Sequence, residues 1–437
     1  MKKGFLRELN LLDASLLVIG CIIGAGIFRT PATIARSLNS PFLVLSVWFL
    51  GGCLSLCGAL CYAELSASFP KTGGDYVYLT EAYGPLTGFI FGWTKLFIER
   101  TGTIAVLAFV FAEYLRSVFH YDLETLKGVA CLAILFLTIA NIVGIQWGKR
   151  VQNFFTCLKV AAMVGIIGFG VSRAHTIPSS WSPFFPKEIS LDTVQSLGVA
   201  LIFVLWTYGG WTEAAYVAEE VKDPERNLPR SIVFGVLGTM CLYLMINTIY
   251  LYYLPLSEMT KEKLVAAATV ERAMGGSWGG LVSLLVSLSA FGALNGYILT
   301  GGRILYALGE DHSLFRKVAK LHPELHTPVV ALWLNAALAA LLILTKSFEE
   351  ILTYTTVAIW IFFAMTGLSV IILRKKYPDR KRPYRVWGYP VIPILFVLSA
   401  LLFILNAILK TPQEALFGLA LVAIGAPLYW LSSRKKI

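Results

Sequence analysis

The chain has 437 residues, of which 57% are hydrophobic and only 14% are charged, and its mean hydropathy is +0.70. Because soluble domains carry about 25% charged residues, this composition excludes a soluble enzyme and indicates a polytopic helical membrane protein. In such a protein the net charge of +11 reflects which side of the membrane the loops occupy and does not indicate nucleic-acid binding.

Apolar runs separated by charged, proline and glycine residues predict twelve transmembrane helices, since each needs about 20 residues to cross the bilayer core. Residues 1–10 lead directly into the first run, so we expect no cleavable signal peptide. The predicted spans are residues 12–35, 41–65, 86–116, 127–146, 151–172, 193–218, 231–254, 277–308, 328–345, 350–373, 389–409 and 414–432.

The basic residues predict the orientation of these spans. With both termini in the cytoplasm, 22 of the 37 Lys and Arg residues fall in inner loops, 10 in outer loops and five within spans. This distribution follows the positive-inside rule, so we expect a multi-pass protein of the plasma (inner) membrane with both termini cytoplasmic. Residues 66–83 and 219–230 are predicted inner connectors, and residues 258–276 form a helix-like outer one.

Two glycine clusters interrupt the middle of spans one and six. Gly24 and Gly26 lie in GCIIGAGIF, and Gly209 and Gly210 lie in WTYGGW. The interval along the chain from Gly24 to Gly209 nearly equals the interval from the start of span two to the start of span seven, which predicts a five-plus-five repeat. Because five crossings is an odd number, the second repeat would be inverted.

Paired breaks at mid-depth indicate a binding site, since unwound backbone in a bilayer is tolerated only inside protein or beside a polar cavity. Freed N–H groups favour a carboxylate and freed C=O groups favour an ammonium, so the site suits an amino-acid zwitterion. The alternative is that the glycines only permit close helix packing, although a matched pair favours the site.

Five ordered motifs resemble the L-type amino acid transporter (LAT) family of the amino acid–polyamine–organocation (APC) superfamily, as a prokaryotic member. They are GCIIGAGIF, PKTGGDYVYL, WTYGGW followed by EEVKDPERNLPRS, ALNGYILTGGR and LRKKYPDRKRPYRVWGYP, and the resemblance covers residues 9 to 432. It implies a LeuT-type transport core in residues 1–374, with inverted repeats at about 11–172 and 193–374. Residues 375–437 would add a cytoplasmic loop and helices eleven and twelve. The family usually performs sodium-independent amino-acid exchange, without a cofactor.

By this resemblance, the carbonyl of Ile22 receives the substrate ammonium, and the N–H groups of Ala25 and Gly26 hold the carboxylate. Ala25 stands where many members have Ser or Thr, so only the backbone contributes there. The Trp206 indole resembles the family's aromatic gate, with an interfacial anchor as the alternative. Gly209 and Gly210 leave room for the substrate side chain. The implied substrate-binding residues are Ile22, Ile23, Gly24, Ala25, Gly26, Ile27, Trp206, Thr207, Tyr208, Gly209, Asn295 and Trp360.

Asn295 and Trp360 also have simpler interpretations. On physical grounds alone, Asn295 could make an interhelical hydrogen bond and Trp360 could be a packing residue.

Lys159 lies a third to half-way along span five, where a charge is costly unless it has a function. The resemblance makes it a built-in cation at the position where sodium-coupled relatives bind an ion between spans one and eight. We therefore expect sodium-independent transport. Two alternatives are that Lys159 loses a proton during the cycle, which would make the protein a proton-coupled uptake permease, and that its side chain extends to the cytoplasmic interface.

Other charges fall in or near the predicted spans. Lys95 and Glu99 are four residues apart, so they are predicted to pair, and contact of Glu99 with substrate is left open. Arg100 resembles a family arginine, whereas Glu99 stands where relatives are usually apolar. Arg29 faces either an outer cavity, where it would repel cationic substrates, or the outer interface.

Other classes of protein are disfavoured. All five His residues lie in loops or span ends, and no H-E-x-x-H or G-x-S-x-G motif occurs, so an intramembrane enzyme is not expected. The seven Cys residues lie in apolar runs without His or carboxylate partners, which predicts neither disulfides nor a metal site. Animal LAT proteins pair with a glycoprotein through a cysteine in the outer loop after span three. That loop lacks one here, so we expect no disulfide-linked heavy chain, and the partners are amino acids and lipid.

The leading functional prediction is an alternating-access exchanger. Trp206, Gly209 and Arg29 argue against a dedicated cationic site, and neutral amino acids are the favoured substrates. These residues do not separate small from large neutral amino acids, and they do not exclude acidic ones.

Overall fold

A computed structural model describes residues 5–174, 181–186, 188, 190–262, 264–276, 278–345, 348–410 and 412–433. Within this part of the chain the secondary structure is helical, apart from one isolated parallel bridge between Leu9 and Val221. The predicted all-α class is therefore confirmed.

Most predicted spans correspond to one helix, and spans one, three and six are divided. Span three contains a π-helical turn at Lys95–Glu99 between two α-helices. The helices are α1 (Leu11–Ile22), α2 (Gly26–Ser37), α3 (Pro41–Ser68), α4 (Asp75–Tyr83), α5 (Pro85–Thr94), α6 (Arg100–Phe119), α7 (Leu123–Val143), α8 (Ile145–Ser172), α9 (Leu191–Thr207), α10 (Glu213–Tyr216), α11 (Pro224–Tyr253), α12 (Leu256–Met259), α13 (Val265–Met274), α14 (Gly279–Asp311), α15 (Val329–Thr345), α16 (Phe348–Lys376), α17 (Val391–Lys410) and α18 (Pro412–Ser433).

Several of these elements are long and apolar enough to cross a membrane, which defines a polytopic membrane protein. Among the described residues, seven segments meet that criterion: Leu11–Ser37, Pro41–Ser68, Pro85–Phe119, Leu123–Val143, Ile145–Ser172, Pro224–Tyr253 and Gly279–Asp311. Shorter apolar helices lie at Leu191–Thr207, Val329–Thr345, Val391–Asn406 and Gly418–Trp430.

Local sequence signals explain where the helices begin. The Asn10 side chain accepts from the Asp13 N–H (2.9 Å), and the Asp13 carboxylate accepts from the Asn10 N–H (3.0 Å), so a reciprocal cap starts α1. Ser40 caps α3, whose first residue is Pro41, and Asp122 caps α7 through the Thr125 N–H. Proline suits the first helical position because no intrahelical bond needs its N–H there.

Two predicted connectors are more helical than expected. Span seven was predicted to begin at 231, but α11 begins at Pro224, because this proline fixes a helical φ at the first position. Pro229 lies inside α11, where it removes only one hydrogen bond near the helix start. The inner connector 66–83 is largely helical as well, since α3 continues to Ser68 and α4 occupies Asp75–Tyr83.

The interrupted helices lie at the centre of the bundle. α1 packs against α8, α11 and α14, while α9 packs against α2 and α3. The N-terminal segment is also attached to this centre, because the Leu9 N–H donates to the carbonyl of Glu220 (2.9 Å) and the Leu9 carbonyl accepts from the Lys222 N–H (2.8 Å).

Candidate functional site

The first break separates α1 from α2 at the predicted glycine cluster. The Ile23 N–H still donates to Ile19 (2.8 Å), and the Gly24 N–H turns back to the carbonyl of Ile22 (2.8 Å). α2 then begins at Gly26. Because the first N–H groups of a helix have no acceptor within it, the start of α2 presents backbone donors at this point.

The second break follows α9, which ends at Thr207, and the chain resumes helical geometry in α10 at Glu213. The Gly209 N–H donates to the carbonyl of Trp206 (3.0 Å), and Gly210 has a φ of +110°. Only glycine adopts this φ without strain, which explains its presence at the second of the two glycine positions.

The two breaks are in direct contact. A Cβ atom added to Gly210 would lie 2.7 Å from the carbonyl carbon of Cys21, so the backbones approach too closely for any larger residue. The Tyr243 hydroxyl of α11 lies 3.0 Å from the carbonyl oxygen of Ile22 and 3.4 Å from that of Thr207. One side chain therefore connects the carbonyl ends of both interrupted helices.

A cavity of about 120 Å³ lies where the breaks meet. Glycine backbone of both breaks lines it, together with the aromatic side chains of Trp206, Tyr297, Trp360 and Phe363. Trp206 is 36% exposed, whereas the other three rings are buried. The cavity thus combines exposed backbone polar groups with an aromatic wall.

Most of the predicted site residues line this cavity. The structure brings together Ile22, Gly24, Ala25, Gly26, Trp206, Thr207, Gly209 and Trp360. It places Ile23, Ile27, Tyr208 and Asn295 in the buried interior, outside the cavity lining.

Asn295 of α14 forms a polar link between helices. Its amide nitrogen donates to the carbonyl of Gly148 (3.1 Å) and to the Gln152 side chain (3.1 Å), and its amide oxygen accepts from Asn141 (2.9 Å). These bonds join α14 to α7 and α8. The geometry matches the interhelical alternative and does not bring Asn295 to the cavity.

Lys159 of α8 lies outside the cavity lining and contacts the backbone of the first break. Its ammonium donates to the carbonyls of Gly20 (2.8 Å), Ile23 (2.7 Å) and Ser289 (3.0 Å). An ammonium has three N–H donors, so these three carbonyls match its capacity. The side chain is 3% exposed and links the end of α1 to α14, and it does not extend to the cytoplasmic interface.

Glu213, which is not among the predicted site residues, also lines the cavity. Its two carboxylate oxygens accept from the Arg100 guanidinium at 2.9 and 3.2 Å, and the Thr300 hydroxyl contacts it as well. Glu213 falls within the predicted span 193–218. A charged residue inside a membrane span is a signal of function, so the signal that marks Arg100 also marks Glu213.

Lys95 and Glu99, at the two ends of the π-helical turn, contribute a second ion pair to the cavity lining. The Lys95 Nζ lies 2.8 Å from a Glu99 carboxylate oxygen, which confirms the predicted i,i+4 pair. Lys95 also packs against the faces of the Phe91 and Tyr216 rings. The same Glu99 oxygen is 3.9 Å from Nε of Arg100, so the two ion pairs are contiguous.

Arg29 lies outside the cavity lining. It is exposed, and its guanidinium is 3.5 Å from the exposed carboxylate of Glu113.

An apolar helical bundle with a polar cavity between two interrupted helices is characteristic of secondary membrane transporters. A family model described as "Amino acid permease" matches residues 9–425. The chain belongs to this family, within the APC superfamily, which confirms the resemblance found in its motifs.

Individual relatives extend over nearly the whole chain. The chain is 33% identical over 441 residues to the serine/threonine exchanger SteT of Bacillus subtilis (strain 168), covering 99% of this chain and 98% of that protein. It is 32% identical over 434 residues to the b(0,+)-type amino acid transporter 1 of Mus musculus, with coverages of 97% and 88%. The cystine/glutamate transporter of Homo sapiens is 30% identical over 430 residues, with coverages of 97% and 85%.

Proposed function

We propose that this protein is a sodium-independent exchanger of neutral amino acids that works by alternating access. The observation that carries the proposal is the contact between two broken helices at one cavity, where backbone N–H and C=O groups lie within the reach of one small zwitterion. The names of the relatives, among them a serine/threonine exchanger, support amino-acid exchange.

The substrate carboxylate would bind the N–H groups of Ala25 and Gly26 at the start of α2, where the helix dipole favours an anion. The ammonium would bind the carbonyl of Ile22 and the carbonyls near Trp206. The Ile22 carbonyl already accepts from Gly24 and from Tyr243. Since the Tyr243 hydroxyl has a second acceptor 3.4 Å away in α9, it can release the first one to the incoming ammonium. The Trp206 indole would act as the gate.

Sodium independence rests on Lys159. Its ammonium occupies the space between α1 and α14 and already satisfies three carbonyl oxygens there. A sodium ion placed among the same oxygens would face strong repulsion from this charge. The fixed cation would therefore replace a transported one.

A proton-coupled uptake permease is the second candidate, and it also depends on Lys159. It requires the lysine to alternate between its charged and neutral forms. A neutral amine has only two N–H groups and no charge, so losing the proton removes one of the three hydrogen bonds and weakens the other two, although Ile23 keeps a second donor in the Ser289 hydroxyl (3.2 Å). This geometry favours the exchanger.

The proposed architecture is a LeuT-type core of inverted repeats, residues 11–172 and 193–374, within twelve spans, followed by helices eleven and twelve in residues 375–437. Corresponding helices support it, because the interval along the chain from the start of α1 to the start of α9 nearly equals that from the start of α3 to the start of α11. We further propose a cell-membrane location with both termini cytoplasmic, a transport rather than an enzymatic role, and action without a disulfide-linked heavy chain.

The test is an exchange assay in proteoliposomes. Vesicles preloaded with unlabelled L-serine should take up labelled L-serine much faster than empty vesicles, and replacing external sodium by choline should leave the rate unchanged. Uptake that needs sodium would contradict the proposal. Uptake into empty vesicles that is driven by an inward proton gradient would favour the second candidate.

A further inference from the structure

We infer that Lys95 and Glu99 form the subsite for the substrate side chain, and that this subsite selects small, neutral side chains with both a hydrogen-bond donor and an acceptor, namely hydroxyl and carboxamide groups. The inference rests on the proposed function, because it assumes that the backbone of the two breaks binds the ammonium and carboxylate common to all α-amino acids. The side chain must then contact the remaining lining of the cavity.

That remaining lining is aromatic and aliphatic except for charged and hydroxyl-bearing side chains, chiefly those of span three and α10. Lys95 and Glu99 lie at the two ends of a π-helical turn. Such wide turns occur frequently at functional sites, and one in the wall of a cavity changes the direction of its side chains. Both charged groups belong to the lining, although the side chains are 2% and 11% exposed.

The two ion pairs of the cavity differ in their free hydrogen-bonding capacity. The Glu213 carboxylate accepts from both terminal nitrogens of Arg100 and from the Thr300 hydroxyl, so three of its roughly four acceptor positions are used. The Lys95–Glu99 pair is joined by one short contact at 2.8 Å. An ammonium offers three donors and a carboxylate about four acceptor positions, so one contact uses only part of either group.

Charge balance determines which side chains fit this pair. A hydroxyl or carboxamide can accept from Lys95 and donate to Glu99 without disturbing their attraction. A substrate carboxylate would face the Glu99 carboxylate, and a substrate ammonium would face the Lys95 ammonium. An aliphatic side chain would remove water from both charges and return no hydrogen bond, which is a strong basis for rejection in a buried site.

The aromatic wall limits the size of the side chain. The cavity has a volume of about 120 Å³ and is bounded by Trp360, Phe363 and Tyr297. These rings are buried and pack against neighbours, as in the contact of Trp360 with Phe403, whose ring centroids are 4.4 Å apart. Serine, threonine and asparagine meet both the chemical and the size requirement.

The test measures how unlabelled amino acids compete with labelled L-serine for exchange in three variants. In Glu99→Gln the Lys95 charge is unbalanced, so aspartate should gain as a competitor. In Lys95→Met the Glu99 charge is unbalanced, so lysine should gain. In Lys95→Met/Glu99→Leu, serine should lose against valine. In each variant, the ratio between the inhibitory concentration of the named competitor (aspartate, lysine or valine) and that of serine should shift by about tenfold or more, equivalent to about 1.4 kcal/mol.

The matched controls are Lys127→Met and Glu124→Gln on α7, because both residues lie outside the cavity lining. Both variants should show the same order of competitors as the wild type. Where a variant transports too slowly, the same order is measured as amino-acid-induced thermal stabilisation in detergent. If the double variant does not fold, Lys95→Glu/Glu99→Lys restores the pair in reverse and should keep the preference for serine.

An unchanged competitor order in the single variants would overturn the inference while leaving the proposed exchange intact. A wild type that exchanges no amino acid would instead overturn the proposed function.

Discussion

Replacing Lys159 by alanine tests the most specific feature of the site. The substitution removes three hydrogen bonds from a charged donor to the carbonyls of Gly20, Ile23 and Ser289. Each such bond contributes about 1.5–3 kcal/mol. Water entering the vacated space would recover part of that amount, so we expect the break to lose about 3–6 kcal/mol of stabilisation.

The lost free energy destabilises the conformation of the first break that binds substrate, because two of the three carbonyls, those of Gly20 and Ile23, lie at the end of α1. Since each 1.36 kcal/mol corresponds to a factor of about ten, exchange of labelled L-serine should fall by about a hundredfold or more. The assay is exchange in proteoliposomes, with thermal stability in detergent measured in parallel. The control is Lys127→Ala, whose ammonium contacts the carbonyl of Leu344 (3.2 Å) away from the cavity, and it should behave as wild type. A folded Lys159→Ala protein that keeps most of the wild-type rate would refute the reasoning.

Three further predictions concern other parts of the site. Trp206→Ala should raise the KM for exchange and leave thermal stability unchanged, because Trp206 lines the cavity. Asn295→Ala should lower thermal stability and leave the KM unchanged, because it removes three buried hydrogen bonds. Equal effects of the two variants on the KM would contradict the assignment. Gly210→Ala should lower the free energy of unfolding by about 2–5 kcal/mol, through its φ of +110° and a 2.7 Å clash with the backbone of α1. Gly209→Ala, with its nearest contact at 3.0 Å, should cost less, and thermal melts showing equal stability would disprove this. Asp75→Asn should lower stability without changing the KM, because hydroxyls of α3, α10 and α16 donate to this carboxylate and an amide nitrogen cannot accept them; an unchanged melting temperature would contradict it.

The positions of the two breaks could be predicted because their signal is local. Glycine pairs inside apolar runs are costly in a helix, and this cost is visible without any knowledge of neighbouring helices. The sequence did not distinguish Gly209 from Gly210, since the difference depends on the approach of α1, which is remote along the chain. The start of α11 lies earlier than predicted, because Pro224 falls within the predicted connector 219–230 but suits the first turn of a helix.

Side-chain partners were harder to predict than helices. Lys95 and Glu99 were paired correctly because they are four residues apart on one helix. The Arg100–Glu213 pair spans 113 residues, and a sequence contains no direct indication of such a partner. The same limit applies to Asn295, whose polar side chain indicated a buried hydrogen bond but not whether a helix or a substrate supplies it.

Two arginine–glutamate pairs restrict how the second half of broken span six can move. Glu213 pairs with Arg100 of α6, and Glu220, further along the same segment, pairs with Arg303 of α14 at 2.7 and 3.1 Å. All four side chains are almost fully buried, and separating such a pair costs about 3–5 kcal/mol because it leaves a charge without a partner. A transport cycle that separated both pairs would therefore face a combined cost of about 6–10 kcal/mol. We expect this half-helix to move together with α6 and α14, so that conformational change occurs at the break itself, where Gly210 supplies the necessary backbone freedom.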